Sequence, residues 1–300
     1  MYIPVYRKTL LTGELEEKAV ALAGFLSNCD ICPRKCGVDR IVGEVGICGV
    51  GKKVWVSSYG PHHGEEDPLR GVNGSGTIFF SGCNLNCIYC QNADISQKLT
   101  GMEISTRELA DLMLEMQEMA CHNINLVSPT HVVPQIVEAI YLAAEDGLTL
   151  PLVYNSGGYD SIQTLQYLKG IIDIYMPDMK YSDEKIGRDF SDIPSYPVVN
   201  QAAVLEMHSQ VGDLKISADG VAERGLLIRH LVLPNGLAGS HQILRFIAEM
   251  ISVDTYLNIM DQFRPAYQAY RENDLNRRIT RTEYQDILHF AESLGMTRLD

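Results

Sequence analysis

The chain has 300 residues, 46% hydrophobic and 21% charged, the balance of an ordinary globular protein long enough for one sizeable core, which excludes a disordered, collagen-like or coiled-coil chain. Lysine and arginine number 25 against 38 aspartates and glutamates, and the net charge of −13 repels a polyanion and argues against nucleic acid as a partner. No apolar run has the length of a membrane span, and the N-terminus leads into Glu14, Glu16 and Glu17 without a signal-like stretch, so a cytoplasmic protein without membrane contact is expected.

In chain order, Leu15, Ala19, Leu22 and Leu26 predict an amphipathic helix over 14–27. Residues 28–76 read as irregular except for a strand at 53–58, giving an N-terminal part, 1–76, made of a helix and a cysteine-rich segment. From Thr77 strand and helix alternate. Apolar strands are expected at 77–81, 123–128, 150–155, 171–177, 226–233 and 253–260. Between them run a helix opened by the capping box Ser105 and Glu108, one with Val133, Ile136, Val137 and Ile140 inward, and one opened by Asp160 with Gln163. A last helix is capped by Thr280 with Glu283 and is expected to pack outside. Six short apolar strands separated by helices call for a parallel sheet. The fold expected for 77–300 is therefore α/β, a partial (β/α)6 barrel of TIM type; a doubly wound sheet is the alternative.

Seven of the eight cysteines fall into two tight groups, which favours ligation over disulfides in a reducing compartment. Cys83, Cys87 and Cys90, spaced Cys-x3-Cys-x2-Cys, leave the first strand of the alternation, where parallel sheets place their sites. Three thiolates can hold three irons of a cubane and leave the fourth iron open. The other readings are a three-thiolate zinc completed by His62 or His63, and free thiols.

This spacing, with aromatic Tyr89 before the third cysteine, resembles the signature of the radical S-adenosylmethionine (SAM) superfamily. The resemblance implies a [4Fe-4S] cluster whose open iron binds SAM, reductive cleavage to a 5′-deoxyadenosyl radical, hydrogen abstraction from a protein or small-molecule substrate, and a reductant such as flavodoxin or ferredoxin. It places Tyr89 near the adenine. Where the family carries a Gly-Gly-Glu-type motif this chain has Ser128 and Thr130, which leaves a backbone role open and a carboxylate role without a candidate. Asn155 and Ser156 are expected at ribose or carboxylate. Asp178 and Lys180 look like the Asp-x-Lys of glycyl-radical-enzyme activases and are expected to face substrate on one side of a strand end. Arg229, in Arg229–Gly236, resembles another region of those activases; Met260 and Gln262 are further candidates for cofactor contact.

Cys29, Cys32, Cys36 and Cys48 supply enough thiolates to close a tetrahedral zinc or a second iron–sulfur cluster. Together with the stretch His63–Pro68 they make the chain, from about Cys29 on, resemble a subgroup similar to pyruvate formate-lyase activating enzyme. Glu65 and Glu66 are read as solvated, and Cys121 as a buried small hydrophobe. Two other readings stand beside this one: a radical SAM enzyme modifying peptide or RNA, and an electron-transfer or assembly protein carrying clusters without cleaving SAM.

Overall fold

A computed structural model describes residues 2–300. All six expected strands are present and parallel: β2 (Ser75–Phe80), β4 (Ile124–Val127), β5 (Leu152–Ser156), β6 (Ile174–Pro177), β8 (Ala222–Leu231) and β9 (Tyr256–Met260). Each pairs with the next in sequence, so the order never reverses as a doubly wound sheet requires. The result is a singly wound, open (β/α)6 arrangement.

Three further strands extend it. β1 (Val54–His62) pairs antiparallel with β2 and with the short β3 (Met102–Ile104), while β7 (Lys215–Ile216) flanks β8. The strand expected at 53–58 is thus longer and built into the central sheet. Its antiparallel course sets His62 opposite Ser75, at the end of β2 remote from the cysteine loop.

The helix Thr106–Glu118 begins at the expected capping box, and Arg281–Ser293 at the Thr280–Glu283 box. Helix Ile162–Leu168 differs from expectation. Its N-cap is Ser161, because the Asp160 carboxylate is buried and accepts hydrogen bonds from Thr130, Tyr154 and Ser156 at 2.7–2.9 Å instead of capping. Helices Glu184–Ser191 and Tyr196–Val211 fill the long connection between β6 and β8, and the second carries His208, which the sequence places on a helix. The main core packs helices Glu14–Gly24 and Val133–Glu145 against the outer sheet face, and Cys121 lies within it as expected. Among the described residues no helix is long and apolar enough to cross a membrane.

Candidate active site

The loop after β2 carries Cys83, Cys87 and Cys90 into a cavity of about 220 Å³ at the C-terminal ends of the parallel strands. The same cavity is lined by Ser128 beyond β4, Asn155 and Ser156 from β5, Asp178 and Lys180 beyond β6, and Arg229 from β8. Asp178 and Lys180, just past the end of β6, face each other as expected, and the Lys180 Nζ donates to Asp178 Oδ2 at 2.5 Å. Burial pushes the Lys180 ammonium down, but the facing Asp178 carboxylate outweighs it and holds the pKa well above that of a free lysine. The Lys180 ammonium therefore stays charged.

The three thiols are free and each has a polar neighbour: Cys83 Sγ accepts from the Leu85 N–H at 3.4 Å, Cys87 Sγ from the Ser191 hydroxyl at 3.0 Å, and Cys90 Sγ lies 3.2 Å from Ser96 Oγ. Burial raises the Cys83 thiol to about 12 and lifts Cys87 as well, so both are protonated until a metal displaces the proton. Among the described residues no three His, Cys, Asp or Glu side chains close on a single ion. Thiols that surround a space suit a cubane, which takes one thiolate per iron. His62 faces Glu65 at the far end of β2 and does not meet these cysteines, which removes it as a fourth zinc ligand.

Four expected contact residues lie away from the cavity lining. The Tyr89 ring is buried among Tyr181 and Phe263, with its hydroxyl 2.6 Å from that of Tyr181. Thr130 donates to Asp160, which in turn accepts from the Ser156 hydroxyl, so Thr130 acts on the site through Asp160. Met260 is half-buried at the end of β9, and Gln262 is exposed with its carbonyl facing the Gln91 side chain.

The sequence reading missed how Arg229 is held. Its Nε donates to Glu66 Oε1 at 2.6 Å, and one Nη to Glu66 Oε2 at 2.9 Å and Glu65 Oε2 at 2.6 Å, while Asn258 Nδ2 donates to Glu66 at 2.8 Å. Glu65 and Glu66, expected in solvent, are buried because the segment after β1 crosses to β8 and β9 and joins the two ends of the open sheet. Burial would raise the Glu66 carboxyl, but Arg229 and Asn258 hold it below the usual range. Asn125, two residues before cavity-lining Val127 on the same face of β4, is buried with neither amide atom partnered, an orphaned polar group below the cavity.

The model of the radical SAM superfamily matches residues 77–199 of the chain, from β2 into helix Tyr196–Val211. The uncharacterized protein MJ0674 of Methanocaldococcus jannaschii is 30% identical over 292 residues, spanning 94% of this chain and 79% of that protein. The chain belongs to the radical SAM superfamily. A solved radical SAM methyltransferase from Sphaerobacter thermophilus shares the fold, with a TM-score of 0.52 at 12% identity over 75% of this chain and 65% of that one. Family membership brings a [4Fe-4S] cluster and SAM as co-substrate. The three free thiols around one strand-end cavity fit that cluster, which when bound supplies the electron that cleaves SAM.

Proposed function

We propose that this chain is a radical SAM oxidoreductase that abstracts hydrogen from a protein or small-molecule substrate, with an activity of the pyruvate formate-lyase activating enzyme type. The observation that supports this most is the meeting, in one cavity, of the Cys83, Cys87 and Cys90 thiols with the hydrogen-bonded Asp178–Lys180 pair. An electron carrier needs the thiols but has no use for an ion pair of this kind beside them.

In this reading Cys83, Cys87 and Cys90 hold the cluster. Asp178 and Lys180 offer an anion and a cation to the amino acid part of SAM or to a zwitterionic substrate. Ser128, whose φ of 59° is left-handed, turns the chain at the cavity rim, and Asn155 and Ser156 present polar groups beside it. Arg229 is immobilised by two carboxylates and contributes little free charge of its own. Residues 1–76 form the part that carries the cysteine quartet, which closes a second metal centre, and 77–300 the catalytic barrel with its last helix. A donor of flavodoxin or ferredoxin type supplies electrons.

The test is anaerobic reconstitution with iron and sulfide, followed by SAM and dithionite. The expected product is 5′-deoxyadenosine, with deuterium transferred from the true substrate in a subsequent screen. A reconstituted protein with a full cluster that forms none would overturn the reading.

A further inference from the structure

The quartet lies against the loops at the strand ends. Cys29, Cys32, Cys36 and Cys48 line one small cavity together with Arg34, Arg40, Asn84 and His131. Arg40 is 1% exposed and has no carboxylate partner among the described residues. Its Nε donates to the Gly51 carbonyl at 2.9 Å and its Nη1 to the His131 carbonyl at 2.8 Å, 4.0 Å from Cys29 Sγ, and its Nη2 has no partner. Arg34 is nearly as buried. Its Nε donates to the Asn84 carbonyl at 2.8 Å, its Nη1 is 3.7 Å from exposed Asp192, and its Nη2 is likewise orphaned. A buried guanidinium without an anion is costly, and donors without acceptors add to the cost. A tetrathiolate metal centre, a dianion, matches the two arginines in charge and supplies sulfur acceptors.

The same residues tie the quartet to the catalytic loop. Asn84 follows Cys83 directly. His131, held by Arg40, lies with its Nε2 3.0 Å from the carbonyl of Ser81, two residues before Cys83. At Gly82 the Cys48 carbonyl comes so near that a Cβ there would lie 2.5 Å from it, and the φ of 83° also calls for glycine. The two cysteine groups are therefore in backbone van der Waals contact.

We infer that the quartet holds a second, fully ligated iron–sulfur cluster, charge-balanced by Arg34 and Arg40, which exchanges electrons with the centre at Cys83, Cys87 and Cys90. A zinc tetrathiolate would match the arginines in charge equally well but would leave the contact with the catalytic loop without an electron to carry. An electron-transfer cluster also gives the backbone contact a use. A low-potential one-electron donor of flavodoxin or ferredoxin class reduces the quartet cluster by one electron. That electron passes to the catalytic centre and restores the quartet cluster, and no bond or proton moves.

This rests on the quartet being a metal centre, as proposed above, and is separable from SAM cleavage. The wild type should hold about eight irons and eight sulfides, two cubanes of four. The Cys83→Ala/Cys87→Ala/Cys90→Ala variant should keep half of each and, reduced with dithionite, give an electron paramagnetic resonance signal that SAM does not alter. In reduced wild type the two signals should broaden each other. Arg40→Met in that variant should lower the midpoint potential by about 59 mV, a tenfold shift in the reduction equilibrium, and Arg40→Lys should restore most of it. One zinc with about four irons in wild type, or a triple variant with native circular dichroism and no iron, overturns the inference. Absence of 5′-deoxyadenosine with both clusters present would instead overturn the catalytic reading alone.

Discussion

Removing the Arg229 guanidinium tests the clasp that joins the ends of the sheet. Arg229→Met keeps most of the side-chain bulk but leaves Glu65 and Glu66 buried, with side-chain exposures of 5% and 1%, and without their cation. Glu65 retains His62 at 3.4 Å, while among the described residues Glu66 keeps only the Asn258 amide as a side-chain partner. Breaking a buried pair in this way typically costs about 3–5 kcal/mol. A second route gives the same scale: neutralising one carboxyl of intrinsic pKa ~4.3 at pH 7 costs about 1.36 kcal/mol per unit, or ~3.7 kcal/mol. The sign of the pH dependence follows. In the variant the folded Glu66 pKa rises above its unfolded value, so the folded state holds the extra proton and the loss shrinks by about 1.4 kcal/mol per unit as pH falls from 7 toward 5. Urea unfolding of wild type and variant at pH 7 and pH 5, followed by circular dichroism, measures this. Glu65→Gln/Glu66→Gln/Arg229→Met, which removes both charges as well, should recover much of the loss. A loss under ~1 kcal/mol, or one unchanged between the two pH values, would show that the clasp is not electrostatic.

Cys83→Ala should cost one cluster's worth of iron and abolish 5′-deoxyadenosine formation, as read by iron assay and chromatography; retained iron with retained cleavage would reassign the ligands. Asp178→Asn with Lys180→Met should leave iron content unchanged while weakening SAM or substrate binding about tenfold to a hundredfold, the ~1.5–3 kcal/mol of a charge-assisted hydrogen bond, measurable by equilibrium dialysis. His131 and His230 are buried and neutral, their pKa values lowered by burial to about 4 from 6.5. Below pH 6.5 the unfolded chain takes up protons that the folded chain refuses. Stability should fall between pH 6.5 and 4 by up to roughly 3 kcal/mol for each histidine, and His230→Gln should remove one share of that slope in denaturant titrations.

The sequence alone determined the six parallel strands, the two capping boxes and the loop with Cys83, Cys87 and Cys90, because each is encoded locally. An apolar run of strand length, a Ser or Thr three residues before a Glu, and a fixed thiol spacing need no distant partner to be read. The pairing of Asp178 with Lys180 was legible from their spacing of two at a strand end. The bounds and inward face of helix Tyr196–Val211 were not legible because its pattern is broken, with Val198 exposed and Asn200 buried to bind the Gly158 and Asp178 carbonyls. Only the tertiary structure decided where Glu65, Glu66, Arg34 and Arg40 lie. Charged residues in a polar stretch look solvated until the chain brings their counter-charges from far along the sequence, as Arg229 comes to Glu66 across 163 positions. Burial then converts an ordinary surface composition into fixed charge, since an ion removed from water is held only where a partner of opposite sign meets it.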